Sequence, residues 1–425
     1  MTSNPTRRFD PLAYRDPEPN SALIRALGPV NRHLMLRRLL RLEAFRLPAP
    51  DLARLRAAVH PGTAAFLGPN HPEFMTDWLI DKEISCLASP LMAHWASHEI
   101  VNGSPLAQRF WLANNLVANV PGGSGKAYSV RWALAGHGVL LHPEGTATWQ
   151  GERVAPLLPG IVDMACTAAE TLRERHEHRP VFMVPLIWKL HFTGDASAGL
   201  VRELAHMERA LGLPRGAGAV ERRFATLLVA LLARQCERLA LPAPVPGAGY
   251  FDAQAASVLA IRERLESRLG PLDPDPTRAQ HEARRAIRQL AATDPDGARR
   301  DRALLLELQR LSSFDPALYG NATLTQEHIA ETLKRIRTGL VTRGSGNAVH
   351  NLLPVAVAPR RVHVRVPEAF DVGAALSAGA PAREVREGLR VALHARMQVA
   401  LDELVRAIAP QVDPWRRPNP LCRKP

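Results

Sequence analysis

Two short segments bring together residue types suited to acid–base chemistry. The first is Asn70-His71-Pro72-Glu73-Phe74-Met75-Thr76-Asp77 and the second is His142-Pro143-Glu144-Gly145-Thr146. Each follows a short apolar run, residues 64–68 and 138–141, so each reads as a loop leaving the end of a strand. That is where α/β folds collect chemistry. Histidine, with an ordinary pKa of about 6.5, can take a proton from a hydroxyl near neutral pH, and such help is worth roughly 10²–10⁴-fold. Pro72 keeps His71 extended and suits the first helical position, so the imidazole stands ahead of the following helix. A carboxylate on that helix can accept the ring N–H, select the tautomer and stabilise the imidazolium. Asp77 is the candidate for that role and Glu73 the reserve.

Together the two blocks resemble the signature motifs of the glycerolipid acyltransferases, over about residues 60–195 with weaker support at 350–370. Members of that family move a fatty acyl group from a thioester to a hydroxyl of a lysophospholipid or a glycerol phosphate. Their histidine and aspartate are usually separated by four residues. Here five intervene, and Thr76 takes the usual place of the acid. One extra helical residue turns a side chain by about 100°. Asp77 therefore meets His71 only if the helix begins one residue later or the turn bulges. The resemblance assigns Glu144, Gly145 and Thr146 to holding the acceptor beside the base, with Gly145 allowing close backbone approach. Members that use a phosphorylated acceptor usually carry arginine directly after this threonine. Ala147 stands there instead, with Arg153 a more distant substitute. The arginine of the family's second motif is also missing from residues 119–126, so Lys126 or Arg131 is expected to supply the positive charge. Lys126 opens a predicted helix, whose first amides favour anions. Val184-Pro185 matches the fourth block, with Pro185 helping to line the acyl channel. The resemblance implies no metal and no prosthetic cofactor, only acyl-CoA or an acyl-carrier protein as co-substrate.

The elements that must position these residues read as α/β. Apolar runs at 63–68, 116–120, 138–141 and 181–188 suggest strands, and helical patterns at 73–86, 105–115, 126–135 and 160–175 separate them. This alternation predicts a mostly parallel sheet flanked by helices. From about residue 200 the texture becomes helix upon helix, with breakers at Asp273-Pro274-Asp275-Pro276 and Asp294-Pro295-Asp296-Gly297. Residues 353–357 and 361–366 again suggest strands. The expected organisation is a disordered tail at 1–20, N-terminal amphipathic helices at 21–60 and a core at 61–199. A large helical insertion or accessory subdomain at 200–345 follows, then a return to the core at 346–409 and a loose tail at 410–425. Within the N-terminal part, residues 31–47 read as one amphipathic helix, leucines on one side and Arg37, Arg38 and Arg41 on the other.

The net charge of +13 implies an anionic partner. With only 5% aromatic residues there are few platforms for stacking bases, so nucleic acid is not the expected partner. An anionic membrane touched at its surface is, by way of the basic amphipathic helix, whose alternative is to pack on its own domain with a solvated arginine face. The stretch 224–233 is too short to span a bilayer and no apolar signal opens the chain, which makes a cytoplasmic protein, peripheral on the inner face of the membrane, the expectation. The four cysteines form no CxxC pair, and His176-Glu177-His178 lacks metal-ligand spacing. Gly122-Gly123-Ser124-Gly125-Lys126 is not a P-loop, because that pattern needs glycine at 120 and a hydroxyl at 127, where Val120 and Ala127 stand. The acyl thioester donor and a lysolipid acceptor are the expected small partners. The alternative is a catalytically silent relative that binds lipid or protein.

Overall fold

The computed structural model describes residues 9–274, 276–341, 357–377 and 380–422. Its strands are β1 (Leu42–Arg46), β2 (Ala64–Pro69), β3 (Ala93–Ser97), β4 (Leu116–Asn119), β5 (Val139–Leu140), β6 (Val181–Phe192), β7 (Thr323–Leu324), β8 (Arg360–Arg365), β9 (Phe370–Asp371) and β10 (Arg417–Pro418). One sheet has the order β1-β8-β6-β2-β5-β3-β4, with β9 beside β6. The run from β6 to β4 is parallel throughout, and β9 is antiparallel to β6. Parallel neighbours need crossovers. After α1 (Ser21–Val30) and α2 (Ala49–Ala58), these are supplied by α3 (Thr76–Ala88) after β2, α4 (His98–Val101) and α5 (Pro105–Ala113) after β3, α6 (Gly125–Leu134) after β4 and α7 (Gly160–Glu174) after β5. The fold is therefore α/β with a mostly parallel sheet flanked by helices. Central strands of such sheets are covered on both faces and read as unbroken apolar runs. Residues Ala64, Ala65, Phe66 and Leu67 of β2 are accordingly all buried.

The strand order matters for function. The chain leaving β2 passes β5 to reach β3, and the chain leaving β5 passes β2 to reach β6. Two adjacent strands thus send their exits in opposite directions, the arrangement that opens a crevice at the carboxyl ends of a parallel sheet.

By compactness the chain forms two units, Met1–Ala147, Leu157–Lys189 and Val362–Leu404 in the first, Thr148–Pro156, Leu190–Arg361 and Val405–Pro425 in the second. The second is built on α8 (Ser197–Ala210), α9 (Val220–Arg238), α10 (Tyr250–Leu269), α11 (Pro276–Leu290), α12 (Pro295–Ser312), α13 (Pro316–Tyr319) and α14 (Gln326–Ile336). It has its own core. Along α9 the buried residues Phe224, Leu227, Leu228, Leu231 and Leu232 keep helical spacing, while Val229 faces outward. Among the described residues, no helix is long and apolar enough to cross a membrane.

Several expectations need correction. Residues 31–47 are not one helix. A first helix, Ser21–Val30, continues as the π-helical segment Asn31–Leu39, Arg41 turns to φ +53°, and residues 42–46 form β1. Leu, Glu and Ala there favour helix locally, but pairing with the distant β8 overrides propensity. Nor are residues 9–20 loose. Glu18 and Asn20 donate their backbone N–H groups to Leu112 and Ala113, and Tyr14 packs on the cluster of Val101, Leu112, Leu116, Ala118 and Val120. At the other end, the helix Ala382–Val412 runs through Pro410, and β10 pairs antiparallel with β7. There the buried Asn419 amide donates to the carbonyls of Tyr319 and Asn321, at 2.6 and 2.8 Å. Polar, proline-rich composition reports a missing apolar stripe, and says nothing of main-chain bonds to a neighbour. Of the strand expected at 353–357, residues 353–356 lie outside the described residues.

Candidate active site

The site begins with register. Phe66 and Leu67 of β2 pair with Val139 and Leu140 of β5, and Leu141 donates its N–H to Leu67 at 3.0 Å. The two exit loops therefore start side by side. Asn70 extends the ladder beyond β2 with its side chain. Its Nδ2 donates to Trp188 O at 3.0 Å and its Oδ1 accepts from Trp188 N–H at 2.8 Å, so an amide stands in for another strand residue beside β6. This anchors the backbone immediately before His71. Across the gap, Glu144 Oε1 accepts the His71 backbone N–H at 2.5 Å and ties the second loop to the first.

His71 Nδ1 lies 2.8 Å from Asp77 Oδ2. The extra residue between them is absorbed in the turn. Met75 takes φ +63° and ψ −35°, and α3 starts only at Thr76. Such a backbone is unfavourable for a side-chain-bearing residue and persists only where its surroundings hold it. Asp77 Oδ1 accepts from Trp78 N–H at 2.6 Å, which fixes the carboxylate. Thr76 is fully buried, and its Oγ1 has no hydrogen-bond partner among the described residues. With Nδ1–H given to Asp77, the lone pair of His71 sits on Nε2. The His71 side chain is 13% exposed, so the ring is not sealed away.

A second imidazole completes the site. The ring of His142 stacks on that of His71 with centroids 4.2 Å apart and planes 21° from parallel. His142 Nδ1 lies 3.0 Å from Asn70 O, and Nε2 lies 2.9 Å from Asp81 Oδ2 and 3.9 Å from Asp77 Oδ2. Burial alone would lower the His142 pKa, but Asp81, by charge and hydrogen bond, with Asp77 and Glu144, raises it to about 9. Asp81 is itself pushed up to about 6, because burial outweighs its attraction to His142 and Asp77 adds a like charge. His71 moves the opposite way. Burial and the neighbouring His142 charge hold it below its ordinary value against the pull of Asp77. Asp77 is resisted by burial but held below the usual carboxylate range by His71, His142 and the Trp78 N–H.

His142, Asp81 and Asn70 went unassigned in the sequence. Signals for the first two were present. His-Pro-Glu occurs at both 71–73 and 142–144, and Asp77 and Asp81 are four apart, one turn on the same helix face. Asn70 offers no comparable signal, because its bonds run to a strand more than a hundred residues away.

His71, Asp77 and His142 bring ligand-type atoms within 4.8 Å of one another. Two nearly parallel rings, however, share no in-plane point at about 2.0–2.1 Å from both nitrogens, the distance zinc requires. The acceptors at both nitrogens of His142 also call for N–H donors there. The arrangement suits a hydrogen-bonded cluster better than a metal centre.

The other sequence candidates fall in different places. Gly145 has φ +72°, and a Cβ there would meet Leu158 Cδ1 at 2.4 Å. Gly145→Ala is expected to destabilise the fold by about 1–2 kcal/mol, read as a lower denaturation midpoint with unchanged slope. Thr146 is exposed on the same turn. Pro185 is buried in β6 opposite Gly68 of β2. Lys126 and Arg131 do not join the cluster. Lys126 Nζ pairs with Asp163 at 3.1 Å and Arg131 Nη2 with Asp16 at 2.7 Å, both at the surface. Arg153 pairs with Asp315. Within the second unit, residues 148–152 are held by one face of α14. Arg335 donates to the carbonyls of Thr148 and Trp149, Glu331 accepts from Gly151 N–H, and His328 pairs with Glu152 at 3.1 Å.

No protein-family model matches the chain, and no curated protein matches it either.

Proposed function

We propose that the chain is an O-acyltransferase that moves a fatty acyl group from acyl-CoA or an acyl-carrier protein to a hydroxyl of a lysophospholipid or glycerol-phosphate-type acceptor. His71 Nε2 takes the proton of the acceptor hydroxyl. The oxygen forms its bond to the thioester carbonyl carbon, the carbon–sulfur bond breaks, and the departing thiolate takes the proton from the imidazolium. Asp77 holds the tautomer that this requires and stabilises the transient charge. Gly145 and Thr146 position the acceptor together with Glu144, whose carboxylate also joins the two loops. No metal or prosthetic group enters the scheme. The observation that carries this reading is the 2.8 Å contact between His71 and Asp77 at the exit of a buried parallel strand.

The glycerolipid acyltransferase resemblance supplies the substrate class, and the net charge of +13 supports peripheral contact with anionic lipid. A phosphorylated acceptor has weaker support than a neutral lysolipid headgroup, since Lys126 and Arg131 are engaged with Asp163 and Asp16. The irregular spacing of His71 and Asp77 favours a catalytically silent relative, and the turn at Met75 that brings Asp77 to His71 weighs against that reading. The purified chain is expected to release thiol from palmitoyl-CoA or palmitoyl-carrier protein only when a lysolipid is added, with the acylated lipid seen by mass spectrometry. Absence of product with both donors across a lysolipid panel would reject the activity.

A further inference from the structure

We propose that His142 is a positioning residue for the reaction, a buried imidazolium held charged by acceptors at both ring nitrogens, whose charge opposes protonation of the stacked His71. The inference rests on the acyltransferase reading for its purpose but not for its physics. Nδ1 faces a carbonyl, Asn70 O, which can only accept, and Nε2 faces the Asp81 carboxylate. A neutral imidazole has one N–H and would leave one of these acceptors facing a lone pair, whereas the imidazolium satisfies both. The charged and titratable groups around it are Asp77 and Asp81 from α3, His71 from the β2 exit, Glu144 from its own loop and His94 from β3. His94 is buried, with its Nε2 2.9 Å from Ser85 Oγ, and is held neutral by burial, Lys82 and His142.

The cluster then has a simple charge logic. Asp77 and Asp81, one turn apart on α3, are like charges in a buried site, and the His142 imidazolium lies within 4 Å of both. It lets both carboxylates stay ionised, so Asp77 remains an acceptor for His71. The same positive ring, face to face with His71, discourages a second proton there in the resting state. His71 thus stays a base to lower pH than it would without that neighbour.

The test is a titration of the full chain carrying ¹³C-labelled histidine, with the His71 signal assigned by its loss in His71→Ala. In His142→Gln, which keeps hydrogen-bonding capacity without charge, and in His142→Phe, which keeps the stacked ring, the His71 midpoint is expected to rise by about 1–3 units. In whichever variant folds, an unmoved midpoint overturns the proposal. In an active preparation the acid limb of kcat/KM should move upward with the midpoint, which loss of packing alone would not produce. Because the titration needs no substrate, it stands even if no acyl transfer is found, and so the two ideas fail separately.

Discussion

His71→Ala is expected to lower lysolipid-dependent thiol release by about 10²–10⁴-fold, the usual worth of a positioned general base. The loss should fall on kcat, because the imidazole acts on the proton in flight and holds no large part of either substrate. Removing the ring also takes the nearest donor from Asp77 Oδ2 in a buried site, leaving the carboxylate with the Trp78 N–H and the more distant His142, which is destabilising. His71→Gln is therefore the companion variant, since its amide can donate to Asp77 while lacking a usable base. Both should be checked for native unfolding midpoints before their rates are compared. Wild-type turnover in either folded variant would reject His71 as the base.

Asp77→Asn should cost nearly as much, on the order of 10³–10⁴ in kcat by analogy with the orienting aspartate of Ser-His-Asp triads. The replacement amide can offer an N–H to Nδ1, which moves the ring proton to Nε2 and hides the lone pair that the acceptor needs. Thr76→Ala is the informative partner to this variant. Threonine stands where the resembled family has its aspartate, yet its hydroxyl is buried without a hydrogen bond among the described residues, and the 2.8 Å contact belongs to Asp77. Thr76→Ala should therefore keep turnover within a few-fold of wild type. Equal damage from the two substitutions, or damage from the threonine alone, would show that the carboxylate is wrongly assigned. Steady-state rates with palmitoyl-CoA and one lysolipid settle the comparison.

Some of this was readable in advance from local chemistry. The apolar run before His71 announces a strand exit, and β2 ends there, whereas the helix that Pro72 foreshadows starts only at Thr76, after the turn at Met75. The change from alternating elements to successive helices near residue 200 needs only periodicity, and α8 to α14 follow there. Where local chemistry pointed wrongly, a distant partner had intervened. Residues 42–46 have the composition of a helix and form β1 because β8 lies alongside. Residues 417–418 look like tail and form β10 because β7 lies alongside.

The sequence by itself determined which groups were available: an imidazole ahead of a helix, carboxylates at Asp77 and Asp81 one turn apart, and a glycine where the second loop must bend. These are properties of side chains and of the few bonds around them, so they travel with the residues. Only the tertiary structure decided that β2 and β5 are neighbours, that Met75 turns to bring Asp77 to His71, and that His142 lies face to face with His71 between two acceptors. Pairing of parallel strands joins residues far apart in the chain, and protonation inside a protein depends on distances and burial that only packing sets.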